Sequence, residues 1–162
     1  MQGRGIDEAA EPPDDFASGF ETAFARLQVR LEEVCASEAD WPTGMAVAIR
    51  AALEFAASDP AAAQTLTNEA MAAGRDGIAR RERLLAYAGE ALARGRRHCR
   101  DGTELPQSTE RAVAGGVVGL IAERLATGRA AELPALVPDA IQFALTPYLG
   151  AEEATRIAAS AR

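Results

Sequence analysis

The only histidine of the sequence, His98, stands beside Cys99 in "GRRHCRDG", and these are the first residue types that suggest chemistry. A zinc site needs three or four ligands converging on one point. Two chain neighbours do not supply that set, so the pair reads as the end of a helix. A nucleophile activated by a base would have to use His98 as that base, and nothing around it completes a triad. Asp76, Glu82, Glu90 and Glu104 are candidates for paired acids, yet helical Glu among Arg normally forms a solvated face. "GRGIDE" and "GGVVG" lack the strand-to-helix context of a phosphate loop. The sequence predicts no catalytic residue, no metal and no cofactor, and a protein that is not an enzyme.

The chemistry left open is the binding of an apolar molecule. Phe20, Phe24, Leu27, Trp41, Met45, Ile49, Phe55, Met71, Leu84 and Tyr87 are the larger apolar and aromatic groups available to line a cavity between the first four helices. Trp41 and Tyr87 could also donate hydrogen bonds that orient a ligand. Each of these residues could equally be plain core. The alanine-rich third helix leaves room for a void, because small side chains fill less of the space between helices.

The elements that must position these groups are all helical. Polar "MQGRGIDEAAEPPDD" reads as a flexible tail over residues 1–13, ending where Asp14 or Asp15 can cap a helix. Phe16, Phe20, Ala23, Phe24, Leu27, Leu31 and Val34 then recur at three-four spacing, the stripe of a long amphipathic helix. A second helix runs from about Pro42 to Ala57. A third is capped by Ser58 or Asp59, with Pro60 in its first turn and Gly74 at its exit. The fourth, roughly Asp76 to His98, is charged on one side. Ser108 or Thr109 caps a fifth that ends near Gly128. The sixth starts at Pro134, is expected to kink at Pro138 and closes at Pro147 and Gly150. "AEEATRIAASAR" makes a short last helix. The expected fold is one all-α domain of about seven helices over residues 14–162.

The fifth helix carries Gly115, Gly116 and Gly119, each costing about 1 kcal/mol relative to Ala in a helix interior. At 100° per residue, Ala112, Gly115, Gly116, Gly119, Ala122 and Ala126 share one arc of about 120°, with Glu123 the only large side chain among them. Val113, Val117, Val118, Leu120, Ile121 and Leu125 occupy the other arc. The bulky arc is expected to fill the core of its own subunit. The small arc lets another backbone approach closely. In the sixth helix Val137, Ile141, Ala144 and Tyr148 belong to an apolar surface that covers well over half the circumference. Two such helices predict a two-fold partner that contributes the same pair, giving an intermolecular four-helix bundle. The alternative is a monomer in which the first helix covers this surface.

Composition agrees with a compact domain. The 162 residues are 48% hydrophobic and 25% charged, enough for a sizeable core. Every basic residue is Arg, and the net charge of -7 disfavours direct contact with nucleic acid, whose affinity comes largely from neutralised phosphates. Two cysteines are too few for a disulfide framework, and no signal segment opens the chain, so a cytoplasmic location is expected. The longest run without a polar side chain, Ala112 to Ala122, is too short for a membrane span, which needs about 20 residues.

"AVAGGVVGLIAERLATGRAAELPALVPDAIQFALTPYLGAEEA" resembles the C-terminal segment of TetR-family transcriptional regulators, particularly the branch that closes with a "PYLG"-like turn. "DDFASGFETAFARL" is similar to the helix that leaves the DNA-binding domain in that family, and "RERLLAYAGEALARGR" to the charged helix ahead of the dimer pair. The resemblance spans Asp14 to about Ala158. It implies an all-helical domain whose two late helices dimerise and whose earlier helices enclose a ligand chamber. The family's helix-turn-helix domain is expected to be absent, since fifteen residues precede Phe16 and carry no basic phosphate contacts. Either the chain is a module without a DNA reader or the reading frame lacks its beginning. The expected function is therefore an effector-binding and dimerisation domain for a small apolar ligand. The alternative is an interaction protein that forms mixed dimers with a full-length TetR-type regulator.

Overall fold

The computed structural model of the chain describes residues 14–99 and 104–161, and the tail expected over 1–13 lies outside them. Among the described residues every regular element is helical. The long apolar stripe forms α1, Asp14–Cys35. Asp40 ends the loop that follows and caps α2, Trp41–Ser58, by accepting the Thr43 amide at 2.9 Å, and Pro42 occupies the first turn. There the missing N–H of proline removes no helical hydrogen bond.

Asp59 does the same for α3, which covers 60–72. Its carboxylate accepts the Ala62 amide at 3.1 Å and pairs with Arg26 of α1 at 2.7 Å. The Ala62 amide, and after it the Arg26 guanidinium, hold the Asp59 carboxyl below its ordinary value. A lowered folded-state pKa means that this stabilisation is fully present above the ordinary carboxylate pKa of about 3.9 and is lost as pH falls through the lowered value. Asp59→Ala is expected to remove about 1 kcal/mol of stability at neutral pH, the usual worth of an N-cap. In urea melts the gap from wild type should close toward pH 3. A gap that stays constant down to that pH would show that the carboxylate does not supply the stabilisation.

α3 is not a uniform helix. Pro60–Gln64 is α-helical, Thr65–Glu69 is one π turn and Ala70–Ala72 closes it. Gly74, at φ +67°, turns the chain into α4, Gly74–Ala93, which tightens into a 3-10 segment, Arg94–His98, where the sequence suggests one unbroken helix. α5 is Thr109–Ala126. After it a 3-10 segment, Ala130–Leu136, contains Pro134, and α6, Val137–Leu149, begins with Pro138 in its first turn. The kink expected at Pro138 is thus replaced by a helix start, because the ring needs no donor there. Gly150, at φ +82°, leads into α7, Ala151–Ser160. Counting each interrupted helix once gives seven among the described residues. None is long and apolar enough to cross a membrane.

The buried residues form two clusters. The larger packs Ile49 and Leu53 of α2, Leu85 and Leu92 of α4, Val113 and Ile121 of α5, and Leu133, Ile141, Leu145 and Tyr148 around the start and length of α6. The smaller packs Phe20, Phe24 and Leu27 of α1 against Leu66 and Ala70 of α3 and Leu84 of α4.

Candidate functional site: an alanine-walled chamber

Between the two clusters the helices enclose a chamber of about 580 Å³. Its walls come from Leu27 and Leu31 of α1, Met45, Ile49 and Phe55 of α2, Leu66 of α3, Leu84 and Tyr87 of α4, and Val113, Val117, Val118 and Ile121 of α5. Nine lining residues are alanines, among them Ala48, Ala52 and Ala56 on α2, Ala88 and Ala91 on α4, and Ala114 on α5. The void is what those short side chains leave between backbones held apart by larger neighbours. Apolar volumes of this size lie in the range of small-molecule sites, about 300–1,000 Å³.

Seven of the ten residues expected to line a cavity do so: Leu27, Trp41, Met45, Ile49, Phe55, Leu84 and Tyr87. Three do not. Phe20 and Phe24 are buried in the smaller cluster, where their rings pack on each other at 5.9 Å, and Phe24 meets Tyr87 edge-on at 5.7 Å. Met71 is 63% exposed on the last turn of α3. The π turn widens α3 by one residue just before it, which shifts the register that even helical spacing suggests. The same turn places Thr67 in the chamber wall, where its hydroxyl donates to the Ala63 carbonyl at 2.8 Å. Thr67 is the one buried polar residue among those described, 5% exposed. The expected enclosure by the first four helices also needs correcting, because the bulky arc of α5 forms a fifth wall.

Trp41 is the most firmly placed wall residue. Its indole N–H donates to the Ala91 carbonyl at 2.8 Å, one face stacks on His98 at 5.4 Å, and Tyr148 meets it edge-on at 5.2 Å. Behind it the Tyr148 hydroxyl donates to Glu110 at 3.4 Å, and Arg96 grips the same carboxylate through two hydrogen bonds of 2.7 and 2.8 Å. Burial, and then the Glu110 charge, push the Tyr148 phenol far above its usual range, so it stays a donor. His98 is thus packed against an aromatic wall. The carboxylates considered as paired acids are dispersed: Asp76 pairs with Arg80, Glu82 with Arg111, and Glu90 sits on the chamber rim.

The residues expected at a subunit interface divide sharply. On α5, Ala112, Gly116, Gly119 and Glu123 are exposed, and Gly115 and Ala122 are half-buried. A Cβ at Gly115 or Gly119 would meet nothing within 4 Å. On α6, Val137, Ile141, Ala144 and Tyr148 are core residues of a single chain, the last only 1% exposed, so they are not available to a partner. The outward side of α6 instead carries Asp139, Gln142 and Phe143. Phe143, 51% exposed, lies over Gly116, where an added Cβ would stand 2.7 Å from its ring. Sequence reading passed over Phe143, although its place one residue after Gln142 puts it next to the polar strip.

No protein-family model, no curated protein and no solved structure matches this chain.

Proposed function

We propose that the chain is a small-molecule-binding domain that dimerises through α5, organised like the effector-binding domain of TetR-type transcriptional regulators. The observation that carries this reading is the chamber. A folded domain seldom leaves about 580 Å³ unfilled beside Trp41 and Tyr87 unless something enters it. The walls are mostly apolar and the charged groups that line the space stand at its rim, so binding rather than turnover fits the lining. In a regulator of this kind the ligand would favour one arrangement of the helices over another.

Trp41 is the only tryptophan in the chain and lines the chamber, so its emission reports occupancy. The neutral probe N-phenyl-1-naphthylamine is expected to bind saturably, one per chain, with quenching of Trp41. Ala52→Leu combined with Ala88→Leu fills the chamber from two walls and should weaken that binding about tenfold or more without loss of helicity. Saturable binding that survives both substitutions would place the site elsewhere and end the proposal.

A second reading, an interaction protein that forms mixed dimers with a related regulator, draws on a different observation. The open face of α5 beside Phe143 would accept any chain that presents a similar small-residue helix.

A further inference from the structure

The chamber is apolar inside but its rim is not, and the rim carries information about the head group of whatever enters. Exposed Glu32, Asp40, Glu90, Arg94 and Arg97 line it together with half-buried Glu38, so the ring holds four carboxylates against two guanidinium groups. The Asp40 carboxylate accepts from Thr43 at the start of α2. Glu32, Glu38 and Glu90 form no ion pair among the described residues, and neither do Arg94 and Arg97. The carboxylates are therefore not neutralised by the fold, and they outnumber the cations at the opening.

Two neighbouring groups sense the same field. The Cys35 thiol is pushed up by burial and then by Glu38, and the Tyr87 phenol by burial and then by Glu32, with Arg94 opposing in both cases. Just inside the rim stand Trp41 and Tyr87, whose aromatic surfaces attract a cation that has shed part of its water. A positively charged head is thus matched twice, by unpaired carboxylates outside and by aromatic groups inside. A carboxylate head would meet Arg94 and Arg97, but against a larger opposing charge.

We infer that the chamber takes an amphiphile with an apolar body and a cationic head, an amine or quaternary ammonium group held at the rim by Glu32, Glu38 and Glu90 beside Trp41 and Tyr87. This rests on the chamber being a ligand site, as proposed above.

Three probes with the same ten-carbon chain test it: decyltrimethylammonium, decanol and decanoate, each followed by Trp41 emission and by calorimetry at low salt. The cation is expected to bind about tenfold tighter than decanol, with decanoate weakest, as one or two half-solvated charge contacts would give. The advantage should shrink at 0.5 M salt. In Glu32→Gln/Glu90→Gln it should also shrink, while decanol affinity stays as in wild type. Equal affinities for the three would overturn the head-group inference and leave the chamber standing, and so would decanoate binding best. If none of the three binds to folded protein, the chamber is not a ligand site and both readings fall.

Discussion

Gly95→Ala is expected to lower folding stability by about 2 kcal/mol and to shift Trp41 off the chamber wall. A Cβ at position 95 would overlap the six-membered ring of Trp41 and stand 2.9 Å from Cδ1 of Tyr148. Neither ring can retreat easily. Trp41 is tied to the Ala91 carbonyl and stacked on His98, and Tyr148 is enclosed by the core with its hydroxyl on Glu110. Overpacking of this kind costs about 1–3 kcal/mol, and the gain of up to about 1 kcal/mol from replacing Gly in a helical segment offsets only part of it. Urea melts followed by circular dichroism measure the loss, and Trp41 emission at zero urea reports the displaced ring. An unchanged midpoint with unchanged emission would show that the wall has slack, which would weaken the case that Trp41 defines the chamber. Gly19→Ala in α1 is the matched control, since a Cβ there meets only the Thr65 methyl group, at an ordinary 3.8 Å. It should be neutral or slightly stabilising.

That contrast shows where the sequence was legible. The helices were readable because three-four spacing, proline in first turns and glycine at exits are local signals, and Asp59, Gly74 and Gly150 act where such signals place them. The chamber was readable in part. Apolar side chains on the inner stripes of α1, α2 and α4 had to face one another, so seven of the ten named residues meet around it. Alanine richness predicts a void, but on α3, whereas the alanines that leave it sit mainly on α2 and α4. The π turn at Thr65–Glu69 has no simple sequence mark, and Met71 was misplaced because of it. Glycines were the least legible. Three in one helix draw attention, yet only Gly116 of them faces a close neighbour, the Phe143 ring, and Gly115 and Gly119 have open space before them, while solitary Gly77 and Gly95 are the most tightly enclosed. At Gly77 a Cβ would run into the backbone carbonyl of Ala70. Whether a glycine is required depends on what lies opposite, and one chain segment does not encode that.

Gly119→Leu is expected to leave the fold intact and weaken self-association about a hundredfold. Inside one chain nothing opposes a side chain at 119, and Leu is the better helix former by up to about 1 kcal/mol, so stability should hold or rise. A helix normally carries glycine at that cost only where something benefits from the missing side chain. Within this chain Gly116 has such a reason in Phe143, but Gly119 has none. A second copy supplies one: its own Ala112, Gly115 and Gly119 would let two α5 helices approach across a two-fold axis, with Phe143 of each chain covered at the edge. Leucine at 119 would hold the helices apart and expose both rings again. Sedimentation equilibrium should find a wild-type dimer and a variant whose dissociation constant is raised about a hundredfold, near 3 kcal/mol of association. Phe143→Ser should weaken the dimer less, because it removes an edge contact and not the close approach. A wild type that stays monomeric at high micromolar concentration would leave Gly115 and Gly119 without a steric role. The proposed function would then rest on the chamber alone.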